Sequence, residues 1–76
     1  MHYASGETVE LGDHILMEGG ARGQVVALIE AGAYAAAYAA ADWSYLREGA
    51  LVEAEDAGLM HYREPDQAWA LVSRKT

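Results

Sequence analysis

Two apolar runs separated by a glycine cluster constrain this chain more than any other feature. Residues 9–29 read V-E-L-G-D-H-I-L-M-E-G-G-A-R-G-Q-V-V-A-L-I. The runs at 9–17 and 25–29 flank Glu18-Gly19-Gly20-Ala21-Arg22-Gly23, and glycines supply the backbone freedom that a sharp reversal needs. The pattern predicts a β-hairpin. In an extended chain Val9, Leu11, Ile15 and Met17 fall on one side, and Glu10, His14 and Glu18 on the other. One sheet face is therefore specified by this stretch alone.

Turn residues divide the rest of the chain into short strands. The first strand is expected over 8–17, with Gly12-Asp13 in its middle as a bulge or bend. The second covers 24–30 and is apolar on both sides at Val25, Val26, Leu28 and Ile29, which marks it as central. The third covers 50–55 and ends at the turn Asp56-Ala57-Gly58. A fourth follows at 59–63, Pro65-Asp66 interrupts the pattern, and a fifth runs over 68–74 with Trp69, Leu71 and Val72. Five short strands joined mostly by glycine-containing turns predict a mainly β fold, a small antiparallel barrel.

Between the second and third strands lies an alanine-rich stretch, residues 31–49. Intrinsic propensity supports a helix over 33–48 stopped by Gly49. A shorter form has one or two turns starting at Asp42, whose carboxylate can cap the first N–H groups. The short helix, as an insertion between strands two and three, is the form expected here.

Composition sets the scale of the core. Seventy-six residues make one domain, 1–76, which buries roughly two thirds of the surface of its unfolded chain. At 53% hydrophobic and 22% charged residues the chain is far from a disordered composition, yet phenylalanine is absent. The large core groups are therefore aliphatic residues with Trp43, Trp69 and the five tyrosines, and any of these aromatics that is buried needs a partner for its N–H or O–H. There is no cysteine, so neither a disulfide nor thiolate chemistry is available. The first residues lack a basic region followed by an apolar run, and no apolar stretch of about 18 residues occurs, so a cytoplasmic location away from membranes is expected.

Within the hairpin, Gly12-Asp13, Ile15, Met17, Gly20, Gly23 and Val25-Val26 resemble the G-D-x-V-x-x-x-x-G-x-x-G-x-V pattern of KOW-type and related SH3-like small barrels. A wider set is similar to a group of short bacterial proteins, mostly uncharacterised, some of which look like antitoxin or immunity proteins beside secretion-linked toxins. That set comprises Gly32-x-Tyr34, Tyr38, Trp43-x-Tyr45-Leu46-x-x-Gly49-x-Leu51-Val52-Glu53, Gly58-Leu59-x-His61-Tyr62 and Pro65-Asp66. The first resemblance implies an SH3-like barrel, and the second a small protein that binds another protein. Members of the bacterial group carry Ser, Pro and Glu where this chain has alanines, which implies a loop over 35–41.

Charge and side-chain chemistry sort the function classes. Twelve acidic against five basic residues give a net charge of −7, which repels phosphate backbones and makes nucleic acid an unfavoured partner. The bases Arg22, Arg47, Arg63, Arg74 and Lys75 are scattered; a KOW-like nucleic-acid or ribosome-associated module would need the arginines gathered on one face. His2, His14 and His61 have no pair at ligand spacing, so no metal or other cofactor is expected. Asp13 beside Gly12 reads as a carboxylate that accepts backbone N–H groups and holds the bend. With serine at positions 5, 44 and 73 only, and no His–carboxylate pairing evident around His61, the chain is expected not to be an enzyme.

Tyr34, Tyr38, Trp43 and Tyr45 lie within twelve residues, followed by the acids Glu48, Glu53 and Glu55. Such aromatics serve either as a recognition platform or as a lid over the core of a chain that lacks phenylalanine. These seven residues are the candidate partner-binding set, and flanking carboxylates would steer a basic partner protein. Self-association into a homodimer or larger homo-oligomer, with the aromatic segment between copies, is the structural alternative.

Overall fold

The glycine cluster reverses the chain where its position requires. In the computed structural model, which describes residues 1–74 and so leaves Lys75 outside the described residues, β1 (His14–Leu16) runs through a 3₁₀ turn at Glu18–Gly20 into β2 (Arg22–Leu28). The two strands pair antiparallel with Ile15 opposite Gly23. The chain continues through β3 (Ala33–Tyr34), the single-turn helix α1 (Ala40–Trp43), a 3₁₀ turn at Ser44–Leu46, β4 (Ala50–Ala54), β5 (Gly58–Tyr62) and β6 (Ala70–Ser73). Every pairing is antiparallel, in the order β5-β4-β2-β1-β6, with β3 added to β2. The fold is mainly β with one short helix, and β2 is internal to the sheet. Among the described residues no helix is long and apolar enough to cross a membrane.

Three elements differ from expectation, each for a physical reason. The first strand was expected over 8–17, but only residues 14–16 form a ladder, because the bend at Gly12-Asp13 is a full turn. Gly12 has φ 88°, its N–H bonds the Val25 carbonyl at 2.8 Å, and the Asp13 carboxylate accepts the Glu10 N–H at 2.9 Å. The residues ahead of the bend pair with the N-terminus instead, His2 bridging Thr8 and the Val9 N–H bonding the Met1 carbonyl at 2.9 Å. A sixth strand, β3, appears because β1 covers only residues 22–24 of β2, and Ala33 and Tyr34 take the same edge opposite Leu28 and Ala27. That pairing removes the start of the longer helix. α1 begins at Ala40, ahead of Asp42, so the cap position belongs to Ala39 and no side chain caps the turn.

A bulge lets β2 serve both faces of the sheet. Val25 pairs with Val52 and Ala27 with Leu51, so Val26 is the extra residue, and the alternation of side chains shifts across it. On one face, the inner face, Tyr3, Val9, Ile15, Met17, Val25, Val52, Ala54 and Trp69 form a core in which no residue exceeds 7% exposure. Val26, Ala27, Ile29 and Leu51 form a second apolar cluster on the outer face. Strand β4 shows the division directly, since Leu51 and Val52 are both buried but belong to different clusters.

Asp13 is enclosed at the edge of the inner core. The Tyr3 hydroxyl donates to its Oδ2 at 2.6 Å, and Arg74 Nε lies 3.8 Å from Oδ1. Arg74 also pairs with Glu10 and bonds the Thr8 carbonyl at 2.8 Å. The carboxylate therefore ties the N-terminal segment, the bend and the end of the last strand together. A buried charge is tolerated only when bonded and paired in this way.

Candidate functional site

The aromatic segment lies over the outer cluster. β3 anchors its start, and the Ala35 N–H extends the attachment by bonding the Val26 carbonyl at 2.9 Å. From there Tyr34, Tyr38, Trp43 and Leu46 pack, half-buried, against Val26, Ala27, Ile29 and Leu51. Tyr45 departs from this arrangement and is 71% exposed. The segment thus acts as a lid, with four side chains covering the sheet, and Tyr45 is the one ring of the cluster that stays exposed.

The carboxylates expected beside the aromatics do not form one group. The Tyr38 hydroxyl donates to Glu53 Oε2 at 3.1 Å. Burial first, and then the bond to Glu53 and its charge, hold the Tyr38 phenol above the ordinary tyrosine value. Glu53 and Glu55 line one shallow depression of about 610 Å³ with His14, Arg22, Gln24 and Asp56. Glu55 Oε1 also accepts the Arg22 N–H at 3.1 Å, which joins the end of β4 to the start of β2. Glu48 stands apart: it pairs with Arg63 at 3.0 Å, and its carbonyl oxygen lies 2.8 Å from His61 Nε2. Its ion pair is exposed and stabilises the fold by about 0–1 kcal/mol at most. The structure therefore brings Tyr38, Glu53 and Glu55 into one neighbourhood, places Tyr34 and Trp43 in the covering layer, and leaves Glu48 at the far end of the segment.

Arg47 closes the segment with φ 69°, a positive value that a non-glycine residue adopts only under constraint. Its N–H bonds the Ser44 carbonyl at 3.0 Å, and the next residues, Glu48 and Gly49, lead into β4. The strain lies beside exposed Tyr45 and fixes how the chain turns back to the sheet.

The arginines that a nucleic-acid surface would need are partly committed. Arg63 pairs with Glu48, and Arg74 pairs with Glu10 and lies beside Asp13. Among the described residues no group of three or more His, Asp or Glu side chains is placed to hold a metal ion. Asp13 is saturated at Oδ2 by Tyr3 and the Glu10 N–H inside a closed environment.

One further concavity, of about 390 Å³, opens toward the inner core. Its wall includes Met60, Tyr62 and Trp69, and the two rings meet edge to face with centroids 4.9 Å apart. The sequence does not mark this place, because its residues come from three separate turns and from alternate positions of β5. The only local signal is the proximity of Tyr62 and Trp69 across the Pro65-Asp66 break.

Searches of known protein families, of curated proteins and of solved structures find none that matches this chain.

Proposed function

We propose that this chain is a five-stranded SH3-like small barrel with a helical insertion, and that it acts as a noncatalytic protein-binding module of immunity or antitoxin type that blocks a basic partner in the cytoplasm. In such a barrel the last strand lies beside the first, and the pairing of β6 with β1 supports that topology, β3 being an added strip on β2. The observation that carries the functional reading is the junction of the outer aromatic layer with Glu53 and Glu55. The Tyr38–Glu53 pair and exposed Tyr45 of the same covering segment are taken together as an aromatic shelf, on a chain of net charge −7. Aromatic groups contribute contact area at interfaces, and an acidic border accelerates encounter with a positive surface.

The test is capture of the protein encoded beside this one. Tyr45→Ala is the informative variant because the ring is mostly exposed, whereas Trp43→Ala also uncovers the sheet. We expect Tyr45→Ala and Glu53→Gln each to weaken capture by at least about tenfold with an unchanged fold. Association should also slow as salt is raised. Capture that is indifferent to both variants and to salt would contradict the reading.

A second reading, self-association, has one specific observation in its favour. Leu16 and Val72 are 37% and 48% exposed on neighbouring strands at the β6 edge of the sheet. A mass that rises with concentration, and that is restored to the monomer by Val72→Lys, would identify that edge as the contact.

A further inference from the structure

The concavity on the inner face joins aromatic and thioether side chains to acidic ones. Met60, Tyr62 and Trp69 line it together with Glu18, Asp56 and Asp66, and among the described residues no basic side chain does. Glu18 comes from the 3₁₀ turn after β1, Asp56 from the β4–β5 turn and Asp66 from the segment leading to β6, so three separate loops each deliver one carboxylate. Two of them act on the wall itself: after burial, the charges of Asp66 and Glu18 are what raise the Tyr62 hydroxyl above the ordinary tyrosine value.

Trp69 supplies an independent observation. It is 3% exposed, and among the described residues its indole N–H has no hydrogen-bond acceptor. A buried donor without a partner is costly, and native structures keep few of them. The remaining wall is apolar and partly thioether, and methionine is the side chain best able to yield to an entering group.

From these features we infer that the groove is a docking site for an arginine-bearing segment of a partner protein. The guanidinium lies among the Glu18, Asp56 and Asp66 carboxylates against the partly exposed Tyr62 ring, and a backbone carbonyl of the same segment accepts the Trp69 N–H, which is closed to solvent until the wall yields. Charge complementarity selects this occupant: three carboxylates with no countercharge among the described residues disfavour an acidic or phosphorylated segment. A planar cation that both accepts carboxylate forks and stacks on aromatic rings is a guanidinium. The inference deepens the proposed binding of a basic protein by naming a second contact on the opposite side of the sheet from Tyr45. It rests on that reading only for the sign of the partner's charge.

The experiment follows the Trp69 indole N–H by NMR in the full-length protein, with Trp43→Phe identifying which of the two indole signals it is. The titrant is the peptide acetyl-Gly-Leu-Arg-Leu-Gly-amide, and the control is the same peptide with neutral citrulline in place of arginine. We expect a saturable shift of the Trp69 N–H, with Met60 and Tyr62 moving in step. Affinity should fall by about tenfold or more with citrulline, with Glu18→Gln and with Asp66→Asn. Asparagine keeps the oxygen that accepts the Ala68 N–H at 2.8 Å, so the turn survives that substitution. Tyr45→Ala should leave the titration unchanged, which separates failure of this site from failure of the aromatic shelf. No saturable shift at millimolar peptide, equal binding of the citrulline peptide, or an N–H that moves with protein concentration alone would overturn the inference, the last by making a second copy of the chain the occupant.

Discussion

The two faces of the sheet are built from the same strands but are closed by different means. On the inner face, branched aliphatics interlock with Trp69 and Tyr3, and the Asp13 carboxylate binds the N-terminal segment to that core. On the outer face, Val26, Ala27, Ile29 and Leu51 are as deeply buried, but what covers them is a run of half-exposed aromatics held by β3 and few further bonds. Equal burial of the sheet residues thus conceals unequal covers. A cover made of side chains that still touch water loses less when it lifts, and such a segment can bind something else without unfolding the protein. The proposed aromatic shelf lies on this looser cover, and the larger contributions to stability are expected from the tighter face.

Paired substitutions sharpen that contrast. Trp69→Ala on the inner face should cost about 3–5 kcal/mol in urea unfolding, whereas Trp43→Ala on the outer face, starting half-exposed, should cost about 1–2 kcal/mol. Since a domain holds only about 0.05–0.15 kcal/mol per residue, the first change should leave a sizeable unfolded fraction. Equal costs would erase the distinction between the faces.

Gly49 is the next largest effect, because it sets how the segment rejoins the sheet. A Cβ there would collide with the Tyr62 carbonyl oxygen, at φ 94°, so Gly49→Ala should destabilise by about 1–3 kcal/mol. Thermal unfolding measures it, and a neutral result would mean that the β4–β5 ladder gives way at this point.

Tyr3→Phe removes one bond to the buried carboxylate and should cost about 1–2 kcal/mol at neutral pH. It should also change the response to alkali. Burial, then the bond to Asp13 and the Asp13 charge, push the Tyr3 phenol far above its ordinary value of 10.0. The neutral phenol is thus favoured in the folded state, and its contribution is complete below about pH 10 and lost as the pH climbs toward the folded value. Tyr38 and Tyr62 are raised by burial in the same direction and add to the alkaline loss. Stability measured from pH 8 to pH 11 should fall less steeply in Tyr3→Phe than in the unmodified chain.

The smallest effect concerns Arg47. Glycine adopts φ 69° without a steric penalty, so Arg47→Gly should be neutral or stabilising by up to about 1 kcal/mol despite the added chain entropy. A clear loss would show that the Arg47 side chain holds the segment down.

Much of the sheet was legible because the relevant signals are local. The glycine cluster, the apolar character of both sides of β2 and the turn at Asp56-Ala57-Gly58 lie where the structure turns and pairs. Two features were not legible for a common reason, since both depend on what a strand leaves unpaired. β3 takes the edge of β2 that the shortened β1 leaves free, and it holds Ala33 and Tyr34 out of the longer alanine helix. The candidate site was legible in part: Tyr34, Tyr38 and Trp43 share a layer as their clustering suggests, but the separation of Glu48 from Glu53 and Glu55 follows from the strained turn at Arg47 and Gly49. The groove around Trp69 was invisible because its acids come from loops far apart in the chain.

Native-state hydrogen exchange tests the unequal closure most directly. The comparison is between the Ala35 N–H, bonded to Val26 across the cover, and the Val25 N–H, bonded to Asp13 in the inner layer. The account predicts that Ala35 exchanges through a local opening with little denaturant dependence, while Val25 exchanges only through global unfolding. Exchange of both amides with the same free energy and the same denaturant dependence would contradict it, because the aromatic segment would then be part of one indivisible core.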